Sequence, residues 1–226
     1  MSTRRRLQVF DVIGPVMIGP SSSHTAGTAR LGRLARQLLA EAPVKAVFTL
    51  YGSLAATYRG HGSDLALIGG VLGFSPDDER LRLAKVEAAK AGLQYSFVQA
   101  ENVSDLVHPN TVGIHLAGAS RTVELVGASV GGGKVEVLEL NGFSVSLKGE
   151  EHTLVVNSWD TPGVITGIST LLVKTGVNIG NMAVSRAGKG QAVVMSIEVD
   201  AILPQEVLQS LQRIPGISRV IWLERI

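Results

Sequence analysis

Residues 152–180 read HTLVVNSWDTPGVITGISTLLVKTGVNIG. Thr153–Asn157 is a short run rich in β-branched residues, as a strand prefers. Asp160 and Thr161 are capping candidates, and Pro162 stands where a first helical residue belongs, because its fixed φ and missing N–H do no harm there. Val164, Ile165, Ile168, Leu171 and Leu172 then recur at helical spacing, and Gly176 closes the helix. Working outward, Val177–Arg186 is a second strand, Ala187–Gly190 a turn, and Ala192–Val199 a third strand. Pro204 opens a helix carrying Val207, Leu208 and Leu211, Pro215-Gly216 turns the chain, and Ser218–Leu223 is the last strand. The predicted order βαββαβ is a ferredoxin-like sandwich. That order speaks to fold and leaves function open.

The charged stretch Lys148–Glu151 separates this region from a less regular one. The expected division is a first domain over 1–147, a linker over 148–151 and a second domain over 152–226. In the first domain Ala26–Ala42 reads as a helix with Leu31, Leu34, Ala35, Leu38 and Leu39 on one face. Val44–Tyr51 reads as a strand, and Asp64–Leu72 and Asp78–Ala91 as helices. Tyr95–Val98, Val112–Ala117 and Thr122–Ala128 alternate like strands. Val135–Leu140 and Phe143–Leu147 flank Asn141-Gly142, a two-residue hairpin turn. The fold class is α+β with a mainly antiparallel sheet.

Composition bounds the chemistry. The chain has 226 residues, 45% apolar and 18% charged, which is a globular balance. It has no cysteine, which excludes disulfides, a cysteine nucleophile and an iron–sulfur cluster ligated by this chain alone. The net charge is +2, part of it from Arg4–Arg6, and aromatics are only 4%, so a nucleic-acid surface lacks both its charge and its stacking platform. No apolar run reaches the roughly 18 residues of a spanning helix. Leu7–Met17 mimics a signal segment, but Asp11, Gly14 and Pro15 interrupt it, and the expected location is cytoplasmic.

Three histidine loops stand out. Gly19-Pro20-Ser21-Ser22-Ser23-His24-Thr25-Ala26-Gly27 leads into a helix, where hydroxyls and free N–H groups suit an anion as well as an ordinary cap. Arg59-Gly60-His61-Gly62-Ser63-Asp64 frees an imidazole between two glycines, with Asp64 a candidate to orient or charge-stabilise it; an ordinary glycine-rich turn capped by Ser63 or Asp64 is the other reading. Val107-His108-Pro109-Asn110-Thr111 holds His108 and Asn110 in fixed directions before a strand. His115 fits a core position as well as a ligand, and His152 has no assigned role. Gly127-Ala128-Ser129-Val130-Gly131 matches a nucleophile elbow by letter, but a glycine turn and another strand follow where a helix is required. Three histidine loops suit proton transfer on a small anionic substrate. A metal site built from them lacks a helical pair and acidic companions.

Phe10–Pro15, Ile18–Gly27, Gly60–Asp64 and His108–Thr111 together resemble the β chain of iron–sulfur-dependent L-serine dehydratase. Asp160–Val164 with Val177–Met182 resembles an ACT domain. Ser63 stands where that family pattern has Thr, which keeps the hydroxyl. The resemblance implies an allosteric-substrate-binding-type first domain, an ACT second domain and an L-serine ammonia-lyase that forms pyruvate and ammonia, as in amino-acid degradation and gluconeogenesis. It implies a [4Fe–4S] cluster ligated by a separate cysteine-containing α chain, and no metal ligand here. It implies His61 as the base at Cα, with His24 and His108 as alternates. Ser21, Ser22, Ser23, Thr25, Asn110 and Thr111 would bind substrate. Asp160, Thr161, Pro162 and Gly163 would contact an effector such as serine, and a homodimer through either domain follows. The alternative is a non-catalytic regulatory module that binds serine or a phosphorylated hydroxy acid.

Overall fold

The computed structural model describes residues 15–100 and 108–226. The Arg4–Arg6 cluster, the Phe10–Gly14 stretch and Val107 lie outside the described residues. The chain divides into two compact units after Glu136.

The first unit opens with one turn of π-helix, Ser22–Ala26, running directly into α1, Gly27–Leu39. The five apolar residues expected on one face of α1 are all fully buried. The helix stops earlier than its sequence pattern suggests, because Ala40 turns left-handed at φ 58. Strand β1 is Lys45–Leu50. A short helix follows that sequence reasoning did not anticipate, α2, Gly52–Thr57. Helix α3 is Ser63–Val71. The single helix expected over 78–91 is two pieces, a 3₁₀ turn Glu79–Leu83 and α4, Ala84–Lys90. Asp78 caps the first piece through Arg80 N, and the two pieces divide at Leu83, which leaves helical geometry at φ −109, ψ 17.

Strands β2 (Gln94–Gln99), β3 (Thr111–Ala117), β4 (Thr122–Gly131), β5 (Lys134–Leu140) and β6 (Phe143–Leu147) complete the first sheet, in the order β2-β1-β3-β4-β5-β6. The β1–β2 pair is parallel, and the β1–β3, β3–β4 and β5–β6 pairs are antiparallel. Asn141 and Gly142 both take positive φ, 49 and 80, as a two-residue hairpin turn requires. Helices α1 and α3 meet backbone to backbone at Gly32 and Gly70. A Cβ on Gly70 would overlap the Ala29 carbonyl oxygen, and one on Gly32 would come 2.8 Å from the Leu67 carbonyl oxygen.

The second unit, which from Val137 takes in the end of β5 and β6, carries β7 (His152–Trp159), α5 (Val164–Lys174), β8 (Ile179–Arg186), β9 (Ala192–Val199), α6 (Gln205–Gln212) and β10 (Ile217–Leu223). The antiparallel order β10-β7-β9-β8 is the ferredoxin-like sandwich expected. Val164, Ile168 and Leu172 of α5 enter the core with Leu154, Met195 and Ile197, while Leu171 packs at its margin. Ile165 is exposed instead, being one residue off that stripe. Pro162 is not the first helical residue: Gly163 caps α5 at φ 93 and the helix starts at Val164. Only a glycine takes that φ without strain, so it moves the start one residue on. Among the described residues no helix is long and apolar enough to cross a membrane.

Candidate functional site

The serine–histidine loop is held by its own hydroxyls. Ser21 caps the π-turn, its Oγ accepting from His24 N at 3.2 Å. A π-turn leaves carbonyls short of their usual α-helical partners. The His24 carbonyl therefore accepts from two side chains, Thr28 Oγ1 and Ser63 Oγ, each at 2.6 Å. In the other direction, Thr25 Oγ1 donates to the His61 carbonyl at 3.0 Å. The two histidine loops are thus clasped reciprocally, hydroxyl to carbonyl. Thr25, Thr28 and Ser63 are all buried, where a polar group is tolerated only when paired.

The clasp brings the two imidazoles into edge-to-face contact, with centroids 4.7 Å apart and planes at 69°. His24 Nδ1 lies 3.2 Å from both Ser21 Oγ and Ser23 Oγ. Burial, and then the neighbouring His61, hold the His24 pKa below its ordinary 6.5. A neutral imidazole results, able to accept a proton or to pass one on. His61 sits between Gly60 and Gly62, and its Nδ1 is buried without a hydrogen-bond partner. A cavity of about 380 Å³ opens beside it, walled by Gly19, Thr25, Arg59, His61, Leu65 and Arg82 among others. That volume is in the roughly 300–1,000 Å³ range of small-ligand sites.

Asp64 does not orient His61. It is buried, and its carboxylate pairs with Lys85 Nζ at 2.7 Å, a hydrogen bond that raises the Lys85 pKa. The third loop stands apart from the two imidazoles. His108 Nδ1 accepts from Asn110 N at 3.1 Å, and Asn110 Oδ1 accepts from Ser53 Oγ at 3.2 Å. Thr111 Oγ1 donates back to the His108 carbonyl at 2.7 Å. Ser53 belongs to α2, the helix the sequence did not reveal.

Ser129 links this loop to the first. Its N–H donates to the Asn110 carbonyl at 3.1 Å, and its buried hydroxyl faces Gly27 so closely that no Cβ fits there. The glycine hairpin after it borders the same helix, with Arg30 Nη1 donating to the Gly133 carbonyl at 2.9 Å. His115 is exposed on β3, so it is no core histidine, and His152 stacks on Trp222 at 5.3 Å. Sequence reasoning passed over Arg59 and Arg82 as site residues. Arg59 lies in a quoted loop, but Arg82 reaches the cavity only through the tertiary fold.

In the second unit, Asp160 Oδ2 accepts from Gly190 N at 3.0 Å and pairs with Arg186 at 3.1 Å. The Gly190 hydrogen bond first, then Arg186, hold its carboxyl below the usual range. Asp160 N donates to the Gln191 carbonyl at 2.8 Å as well, so the segment before α5 is tied to the turn after β8.

The fold and site define a two-unit α+β chain whose first unit carries paired histidines at a small cavity and whose second is an ACT-type sandwich. The family model described as serine dehydratase beta chain matches residues 8–139, and the ACT domain model matches 152–216. The chain is 45% identical over 212 residues to the probable L-serine dehydratase, beta chain, of Bacillus subtilis (strain 168), covering 94% of this chain and 96% of that one. It is 34% identical over 216 residues to the L-serine dehydratase, beta chain, of Peptoniphilus asaccharolyticus, covering 95% and 97%. A D-3-phosphoglycerate dehydrogenase of Methanocaldococcus jannaschii is 29% identical over 123 residues, 54% of this chain and 23% of that one. The chain belongs to the serine dehydratase β chain family and carries an ACT domain. Relatives of this family are named for a lyase, and the name β chain implies an α partner.

Proposed function

We propose that this chain is the β subunit of an L-serine dehydratase and supplies the proton-transfer side of an active site completed by a cytoplasmic partner chain. The observation that carries this is the clasped His24–His61 pair at the cavity wall. His61 takes the Cα proton of L-serine, its glycine neighbours allowing close approach. The β-hydroxyl leaves with the C–O bonding electrons as the Cα–Cβ double bond forms. The resulting aminoacrylate tautomerises to an imine, and water releases ammonia and pyruvate. His24, kept neutral, is placed to relay the proton. Ser21 and Ser23 hold the His24 ring from Nδ1, with Ser22 and Thr25 in the same loop, and Asn110 with buried Thr111 orders the loop of His108, the alternate base.

A [4Fe–4S] cluster does not fit this chain. It has no cysteine, and no group of three or more His, Asp or Glu among the described residues could hold a metal. In this reading the cluster belongs to a cysteine-containing α chain, as does the group that assists hydroxyl departure. Residues 160–163 are the proposed contact for an effector such as serine, at the edge where ACT units pair into a homodimer.

The partial similarity to a D-3-phosphoglycerate dehydrogenase favours one second reading, a regulatory module that binds serine or a phosphorylated hydroxy acid. Anaerobic capture of this chain from its native lysate, assayed for pyruvate from L-serine, separates the two. Recruitment of a brown, cysteine-containing partner with oxygen-sensitive activity is expected. His61→Ala should then lower turnover about 10²- to 10⁴-fold with assembly retained. A homodimer that binds serine without turnover and recruits no cluster protein would establish the module instead.

A further inference from the structure

We infer that Arg59, seconded by Arg82, is the counter-charge for the carboxylate of the substrate that meets His61, which makes these two arginines specificity-determining residues. The inference rests on the dehydratase reading above and adds the group that decides which ligands enter.

A serine Cα at His61 brings its carboxylate into the cavity that His61 walls. Three hydroxyls of the serine–histidine loop are already engaged. Ser21 and Ser23 face His24 Nδ1, and Thr25 gives its proton to the His61 carbonyl. None of the three serines of that loop is among the cavity-lining residues, whereas Arg59 and Arg82 both are. Lys85 is the other cation close by, and it is held by buried Asp64 at 2.7 Å.

Arg59 differs from these neighbours. Among the described residues it makes no ion pair; its guanidinium lies over the Tyr58 ring, 5.4 Å from the centroid. Stacking of that kind holds the planar fork in place without spending its N–H donors. Arg82 pairs with Glu79 at 3.5 Å, both side chains being exposed, so a ligand competes for it against a weak partner. The cavity lining therefore includes two arginines, and among the described residues the carboxylates of Asp64 and Glu79 are each already paired with a cation. A guanidinium fork matches a carboxylate with two hydrogen bonds, and a cleft with this charge raises the local concentration of anions.

The test uses the assembled enzyme with its partner chain and compares wild type with Arg59→Gln, Arg59→Lys and Arg82→Gln. Arg59→Gln is expected to raise KM for L-serine about 10- to 100-fold with kcat within a few-fold, Arg59→Lys less, and Arg82→Gln least. Inhibition by 3-hydroxypropionate should weaken in parallel, whereas inhibition by 3-hydroxypropanamide, which lacks the charge, should not change. That non-additivity between protein charge and ligand charge is what a merely structural role cannot produce. Calorimetric titration of 3-hydroxypropionate into the isolated full chain reads the same site whether or not turnover is obtained. Unchanged KM and unchanged acid-over-amide preference in Arg59→Gln overturn the inference while leaving the dehydratase reading intact. Loss of partner assembly with a normal KM in the remaining complex also overturns it, and assigns the arginines to docking. Wild-type enzyme that turns over no L-serine, yet binds the acid through Arg59, overturns the dehydratase reading and retains the arginine site.

Discussion

Both units have an apolar core, with Phe48, Leu67 and Ile114 among the fully buried residues of the first, and they differ at the functional end of the first. The second is an ordinary apolar sandwich, with Ile168, Leu172, Met195 and Ile197 filling the space between helices and sheet. The first buries hydroxyls and bare backbone at its functional end: Thr25, Thr28, Ser63 and Ser129 are buried there, and Gly27, Gly32 and Gly70 allow contacts that any side chain would block. An apolar core tolerates small adjustments because dispersion contacts are many and non-directional. A clasp of hydroxyl–carbonyl hydrogen bonds tolerates little, because each depends on one distance and one angle.

Substitutions that change size by little should break the comparison most visibly. Gly70→Ala adds one methyl group against the Ala29 carbonyl and is expected to cost about 3 kcal/mol, even after the better helix propensity of Ala returns up to about 1 kcal/mol. Ile168→Ala, which removes most of a side chain from the second core, is expected to cost a similar 2–5 kcal/mol or so. The neighbouring Gly69→Ala should cost less than Gly70→Ala, because the first atom it meets is the methyl end of Leu81, not backbone. Urea denaturation of the three variants checks the ranking. A Gly70→Ala protein as stable as wild type would show that the α1–α3 crossing is looser than described.

A smaller effect lies in the titration of the clasped pair. With its folded pKa lowered from 6.5, His24 resists protonation that the unfolded chain accepts. Its linked stability is therefore intact above 6.5 and declines as pH falls from there through the folded value. NMR titration of the His24 ring should show a pKa below 6.5. His61→Ala should raise it part of the way back, since burial, the larger cause, remains. No movement on His61→Ala would mean the two rings do not sense each other.

The smallest effect belongs to the second unit. Asp160 is held below the usual carboxyl range by Gly190 N–H and Arg186. Its contribution is present at neutral pH and is lost as pH falls through the folded value. Asp160→Asn should lower Tm slightly at pH 7 and leave it unchanged in acid, because the pair is exposed and screened. A large drop at pH 7 would show that the loop before α5 is as finely set as the histidine clasp.

Much was legible before any coordinates. The second unit's element order, the buried face of α1 and the Asn141-Gly142 hairpin each follow from periodicities or turn chemistry that act over a few residues. The local differences have local causes: Gly163 rather than Asp160 or Thr161 caps α5, and Leu83 leaves helical geometry and divides the expected 78–91 helix in two. Asp64 was misread as a partner of His61 because Lys85, which claims it, lies on another element. Helix α2 was missed because its few residues, Gly52–Thr57, carry no amphipathic period.

By itself the sequence determined the fold of the second unit, the α+β class of the first and the histidine loops. Periodicity, turn residues and residue types are properties of short segments. Tertiary structure alone decided that His24 and His61 face each other while His108 stands apart. It alone set Ser63 and Thr25 across the two loops, and brought Arg82 to the cavity where Arg59 has no acidic partner among the described residues. Those are pairings between segments distant in the chain. Their energies depend on distances of a few ångströms that only the packed fold fixes.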